Sequence, residues 1–356
     1  MRKRMAVAAA LIASGGFAIY HHIQQPASVT QRKDAAHAAS PLPHGASAEI
    51  SAVDFISPSD GWVVGTTVTK TGQWLSESIY HTVNGGKTWT AVATWDKTHP
   101  IPSPTPAVTG LAAISQLSFQ NARLGHALLF LGAGAGQAGY GVLSTTDGGA
   151  EWTLETQNTL VGSDGPASLS FPDHGATGWF ANGSSAGAYT GVAHTTDNGA
   201  SWSTWSQVRT PEPSPAALSV HFSSLTSGFM VVGTNGYQTV HPSLRLFTTT
   251  DGGRRWQSRV MSAKGLPDWV AGVSFVNPRT GWVVGASANH PYRLYHWSHG
   301  AWTLLPTPDA SENSRPTLDV VTTHVAYMAE QQDSRVTLWK TANGGKNWTK
   351  ATFPLS

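Results

Sequence analysis

Residues Thr145–Trp152 read Thr-Thr-Asp-Gly-Gly-Ala-Glu-Trp, and the chain repeats nearly the same phrase elsewhere. Ungapped copies are TVNGGKTW at Thr82–Trp89, TTDNGASW at Thr195–Trp202, TTDGGRRW at Thr249–Trp256 and TANGGKNW at Thr341–Trp348. A further copy, HWSHGAW at His296–Trp302, keeps the Gly and the Trp but is one residue short and lacks the acid. The shared form, Thr-x-Asp/Asn-x-Gly-x-x-Trp, is that of a tight turn. The side chains of Asn84, Asp147, Asp197, Asp251 and Asn343 can accept backbone N–H groups a few residues on. Gly86, Gly149, Gly199, Gly253 and Gly345 permit the positive φ such a turn needs. Trp89, Trp152, Trp202, Trp256 and Trp348 each bring a large apolar face. All of these residues are read as structural, with no catalytic or metal-binding part.

A second element recurs upstream of each turn: a strand ending in Phe, a short turn, then Gly followed by an aromatic residue. The copies start at Val53, Leu117, Leu169, Val220 and Val273, and a degenerate one starts at Leu318. Successive turn Trp residues lie 63, 50, 54, 46 and 46 apart. Four short strands per repeat at that period predict an all-β propeller blade. In the first repeat the pattern predicts strands over 51–56, 61–67, 78–83 and 87–92, with the box turn joining the last two. Six blades are expected, seven being the alternative. The stretch 89–119 is too short to hide another blade. Whole blades begin near Ile50 and end near Phe353, so closure of the ring is expected to rest on face packing without a shared strand.

The rest of the composition narrows the function. The chain has 356 residues, no Cys and a formal charge of +2. No disulfide, Cys-ligated metal or thiol chemistry is available, and no basic field favours nucleic acid. Arg2, Lys3 and Arg4 precede an apolar run from Met5 to Tyr20. Residues 1–25 are therefore read as a signal peptide or a membrane anchor. Residues 26–48, rich in Ala, Ser, Pro and His, are read as a disordered linker, and residues 49–356 as the propeller.

The two motifs together resemble the Asp-box (BNR-like) repeat. That repeat occurs in sialidases and other glycosidases, in sortilin-type receptors and in the photosystem II stability and assembly factor family. The fuller pattern, Phe-x(6)-Gly-Trp-x-Val-Gly followed by Thr-x-Asp-Gly-Gly-x-x-Trp, is most similar to the assembly-factor family. That resemblance covers about Ile50 to Phe353. It implies an extracytoplasmic, non-enzymatic scaffold that binds a protein partner, with a membrane protein as the natural kind. The blade count departs from the seven typical of that family.

Enzymatic alternatives find little support in the sequence. A sialidase needs an arginine cluster, and the arginines, among them Arg123, Arg245, Arg279 and Arg293, are scattered. A glycosidase needs two carboxylates across a cleft, and no pair of Glu residues is suggested by spacing. Gly134-x-Gly136-x-x-Gly139 matches a dinucleotide fingerprint by letters, but it precedes a strand and is read as a flexible loop. The fifteen His residues show no metal-ligand spacing. No cofactor, metal or nucleic acid is expected, and the chain is expected to be a monomer.

Three features remain as candidates. The residue before the innermost-strand Phe is Asp54, Ser118, Ser170, His221 or Ser274, with Asp319 in the degenerate copy. Strand alternation turns all six away from the Phe, toward the central axis, as a polar ring. Small residues fitting a crowded, hydrated centre are the favoured reading and a ligand site the sharper one. Arg254, Arg255 and Arg259 form a basic patch, either simply solvated or facing an acidic partner. The Pro-rich connections 99–106, 210–215 and 306–316 suit recognition. The competing reading is a carbohydrate-active enzyme or lectin that uses exposed Trp74, Trp205 and Trp269.

Overall fold

Each repeat forms an antiparallel four-stranded sheet, and six such sheets make a β-propeller. The computed structural model describes residues 46–103, 112–156, 160–172, 175–184, 187–210, 215–234, 243–261, 266, 269–287, 290–308, 316–332, 335–351 and 353–355. Neither the segment read as a signal or anchor nor most of the linker falls within them. Among the described residues there is no helix long and apolar enough to cross a membrane.

Blade 1 consists of Ala46–Phe55, Gly61–Thr69, Trp74–Thr82 and Thr90–Asp96, in order from the axis outward. The other innermost strands are Ala113–Phe119, Ala167–Ser170, Pro215–Phe222, Trp269–Asn277 and Thr317–Val320. The outermost strand of blade 2 comes in two pieces, Thr153–Leu154 and Leu160–Ser163, both paired with Gln137–Thr145. The first strand starts at Ala46, so Ala46, Ser47 and Ala48 belong to the sheet and not to the linker. The outermost strand of blade 1 starts at Thr90, beyond the expected 87, because the turn runs through its Trp before pairing resumes. The Gly134–Gly139 stretch is a tight hairpin and not a flexible loop. Strands Gly125–Gly134 and Gln137–Thr145 meet across Ala135 and Gly136, whose φ values of 52° and 78° mark a primed two-residue turn.

The box turns behave as local chemistry demands. Thr195 Oγ1 takes the Gly199 N–H at 3.0 Å and donates to Asp197 Oδ1 at 2.7 Å. Asp197 Oδ1 also takes the Ser201 N–H at 2.9 Å. The same bonds recur at Thr82, Thr145, Thr249 and Thr341. The residue before the second Gly then binds its own blade's inner turn through the backbone, as in Gly148 N–H to Arg123 O at 2.8 Å. Each box thus ties the outer hairpin to the inner one.

Blades pack through an aromatic clamp. Phe119 lies flat on Trp62 of the preceding blade, with ring centroids 3.6 Å apart and planes at 1°. Its own box residue, Trp152, meets it edge-on at 6.0 Å. Phe171 on His126, Phe222 on Trp179 and Phe55 on Tyr327 repeat the flat stack. In blades 1 to 5 the Gly before the second-strand aromatic makes room for the Phe ring: a Cβ at Gly125 would sit 2.4 Å from Phe119. The last of these stacks closes the ring. Blades 6 and 1 share no strand, and their faces meet through Phe55, Tyr80, Tyr327, Leu338 and Phe353. Tyr327 and Lys340 both donate to Pro58 O, at 3.1 and 3.0 Å. Among the described residues the ring therefore closes without a shared strand, by face packing reinforced by these hydrogen bonds.

Candidate functional site

The innermost strands of all six blades line a central channel of about 990 Å³. Asp54, Ser118, Ser170, His221, Ser274 and Asp319 all stand on its wall, as strand alternation requires. The structure adds what the sequence did not reveal. These side chains are staples between blades. Asp54 Oδ2 accepts the Phe119 N–H at 2.6 Å and Asp319 Oδ2 the Phe55 N–H at 2.7 Å. Ser170 takes the Phe222 N–H and Ser274 the Val320 N–H, both at 3.0 Å, and Ser118 takes the Phe171 N–H at 3.4 Å. A second tier sits beside the first. Gln116 bonds both the N–H and the C=O of Leu169, and Ser168 takes the Val220 N–H at 3.1 Å. His221 is the exception: its ring leans on Phe229, with centroids 5.3 Å apart, and among the described residues it makes no bond to the innermost strand of blade 5.

The channel's charge is muted. Burial pushes the Asp54 carboxyl up, and the Phe119 N–H pulls the other way. Burial and then the charge of Asp54 hold Asp319 well above the carboxylate range, against the Phe55 N–H. Burial lowers the His221 imidazole, so it stays neutral. The pair therefore carries less than its full two charges near neutrality. No other Asp or Glu is among the described residues lining the channel. No group of three or more His, Asp or Glu positioned for a metal occurs among the described residues.

Outside the channel, polar groups are mostly spent within the fold. Glu77 is fully buried, accepts the Ile114 N–H at 2.7 Å and the Thr66 hydroxyl at 3.1 Å, and is pushed up to about 7 by burial. His126 stands where the other blades carry Trp, Tyr or, in blade 4, Phe229. Its Nε2 bonds Asn198 Oδ1 at 2.7 Å, and burial lowers it to about 4. Asn198 in turn occupies the first-glycine position of its box at φ 63°, so the two departures from the repeat answer each other.

Several expected exposures are corrected. Trp74 is buried, because its strand starts there and folds the ring into blade 1. Trp205 is partly covered by Arg254, whose guanidinium lies 4.8 Å from the ring centroid. Only Trp269 of the three stands open, at 48% exposure. The basic patch does not converge. Arg254 turns to blade 3, while Arg259 reaches to Pro278 of blade 5 at 3.2 Å. Of the Pro-rich stretches, residues 104–106, 211–214 and 309–315 lie outside the described residues.

The fold and this stapled channel define a class: a six-bladed, all-β propeller whose repeats differ mainly at their junctions. No protein-family model matches the chain, and no curated protein is similar to it in sequence. Among solved structures it is similar to the fucose-specific lectin from Aleuria aurantia, at 11% identity and a TM-score of 0.51, over 87% of this chain and 95% of that one. It is also similar to the Niastella koreensis GH74 enzyme, at 16% identity and a TM-score of 0.48 over 86% of this chain. The chain spans only 45% of that enzyme's length. A third likeness is to YCF48 bound to D1 peptide, at 20% identity and a TM-score of 0.40, over 71% of this chain and 83% of that one. At these identities the likenesses speak for the fold alone, and they include both enzymes and binding proteins.

Proposed function

We propose that the chain is a non-enzymatic, extracytoplasmic propeller of the Asp-box type that binds a protein partner, of the kind the assembly-factor resemblance implies. One observation carries the reading. The polar groups best placed for chemistry at the axis are committed to holding blades together, with Asp54 and Asp319 each engaged by a backbone N–H. The box residues are likewise satisfied within their own turns. Recognition is then left to the rim and the connecting loops, where propellers vary freely. The basic start and apolar run at residues 2–20 support export and a tether to the membrane surface.

A second reading has its own observation. The channel is deep and does hold two neighbouring carboxylates, the arrangement glycoside hydrolysis uses. One set of measurements separates the two. The full-length protein, isolated with its membranes and captured by an affinity tag, should bring down a defined protein partner by mass spectrometry. It should release no sugar from a panel of aryl glycosides. Asp54→Asn and Asp319→Asn should leave the capture unchanged. Turnover of a glycoside that either substitution abolishes, or ligands that prove to be glycans only, would overturn the protein-binding reading.

A further inference from the structure

The fifth blade has lost its box. Strands His290–Ser298 and Ala301–Leu305 meet across His299 and Gly300, at φ 51° and 81°, in a two-residue hairpin. Elsewhere the box fills the seam with the preceding blade. Trp62 donates to Gly148 O at 2.9 Å and Trp179 to Gly252 O at 2.8 Å. Gly85 packs against Lys340, Pro58 O and the Tyr327 hydroxyl. At the seam between blades 4 and 5 these partners are missing on both sides. Phe229 stands where Trp62, Trp179 and Tyr327 do and has no N–H or O–H to give. Thr248 stands where Lys340 does. Neither a flat stack onto Phe275 nor a bond from His221 forms among the described residues.

What remains there is a cleft of about 320 Å³ lined by Leu246, Thr248, Gln257, Ser258, Arg259, Pro278 and Arg279. Arg259 crosses it from the outermost strand, Gln257–Met261, and one of its nitrogens is held by Pro278 O at 3.2 Å. That bond fixes the guanidinium and leaves its other donors for a ligand. Arg279 comes from the facing turn, which is set by its own N–H to Asn277 Oδ1 at 2.8 Å. The walls add hydroxyl and amide groups from Thr248, Ser258 and Gln257, over a floor of Leu246 and Pro278. Among the described residues the lining holds no carboxylate. Among the described residues neither Arg259 nor Arg279 forms an ion pair with a carboxylate. Over residues 215–305 the sequence places six arginines and Lys264 against Asp251 and Asp268 alone, while the whole chain is only +2. The positive charge is thus gathered on this side of the ring.

We infer that the seam between blades 4 and 5 is the docking cleft for an acidic segment of the protein partner, whose carboxylates are taken by Arg259 and Arg279. Planar guanidinium donors suit carboxylates with a geometry that lysine cannot match. The inference rests on the protein-binding reading and names the chemistry of the partner. The surrounding field would speed encounter and make binding sensitive to salt.

The test uses full-length protein, a fluorescein-labelled Glu-rich peptide and the same peptide with Gln for Glu, read by fluorescence anisotropy. The Glu peptide should bind, more weakly as salt rises, and the Gln peptide should not. Arg259→Gln with Arg279→Gln should weaken the Glu peptide by about tenfold or more. Arg259→Lys with Arg279→Lys, which keeps the charge, should recover only part of the loss. Arg123→Gln with Arg209→Gln, on blades 2 and 3, should leave binding unchanged. Both arginines of the cleft are at the surface, so thermal melting should be that of the parent. Equal weakening by both glutamine pairs, or by neither, would overturn the inference. Loss of the cleft's role while affinity capture still yields a protein partner would leave the protein-binding reading intact. Absence of any protein partner would remove that reading itself.

Discussion

Replacing Phe222 and Phe275 separately by Ala tests whether the aromatic clamp, and its absence at one seam, matters energetically. Both residues lie near the end of an innermost strand, both are at least 94% buried, and both cover the Gly before the second-strand aromatic, Gly228 or Gly281. Their ring partners differ. Phe222 lies flat on Trp179 at 3.8 Å and meets Trp256 edge-on at 6.0 Å, while Phe275 has neither partner among the described residues. Truncating a buried Phe costs about 3–5 kcal/mol through lost transfer energy and the cavity left behind. Each favourable aromatic pair adds ~0.5–1.5 kcal/mol beyond area burial. Phe222→Ala should therefore destabilise by about 1–3 kcal/mol more than Phe275→Ala. Urea unfolding followed by Trp fluorescence reads this as a larger drop in midpoint at unchanged slope. Native-state hydrogen exchange should also show that residues 269–277 open more readily than residues 215–222 in the parent protein. If Phe275→Ala proves as costly as Phe222→Ala, or the two segments exchange alike, the seam between blades 4 and 5 is not weaker. The account of the clamp then fails.

Other expectations concern buried polar groups. Glu77 is held up to about 7 in the fold, so the folded protein keeps a proton that the unfolded chain releases near the ordinary glutamate value of 4.5. Its contribution falls as pH rises through that window, and Glu77→Gln should stabilise by up to about 3 kcal/mol at pH 8 and not at pH 4, checked by denaturation at both. His126 has the opposite sign. It is lowered to about 4, so stability present above 6.5 is lost as pH falls toward 4, and His126→Gln should flatten that slope in a melting-temperature series. His126→Trp and Asn198→Gly should each destabilise alone and do less harm together, since together they restore the pair seen at Trp62 and Gly148; a double-mutant cycle showing simple additivity would contradict this. Thr195→Val should cost about 1–3 kcal/mol by stranding the buried Gly199 N–H, measured by urea midpoint.

Much of the architecture was legible because the repeat is local. Within each copy the box is held by bonds spanning at most four residues, such as Asp197 to Ser201, so a short run of letters specifies it completely. Counting those runs gave six blades, and the missing letters at His296–Trp302 marked the blade whose turn differs. The direction of the polar ring followed from strand alternation alone. The boundaries erred where the box continued through its Trp and where the first strand began ahead of the repeat.

The junctions were not legible, because their partners are far apart in sequence. Asp54 meets the Phe119 N–H across 65 residues and Asp319 meets that of Phe55 across 264. Nothing local to Asp54 says that its neighbour is a backbone amide instead of a ligand; that depends on how closely adjacent innermost strands approach at the axis. The same holds for Trp74, whose burial is decided by where the sheet closes over it, and for His126, which looks like a free histidine until Asn198 stands opposite. The cleft between Arg259 and Arg279 is the clearest case. The sequence by itself determined that blade 5 lacks a box and that arginine gathers nearby. Only the packed ring could show that the lost box leaves a space on the side facing blade 4, and that two guanidiniums from different blades border it without a carboxylate.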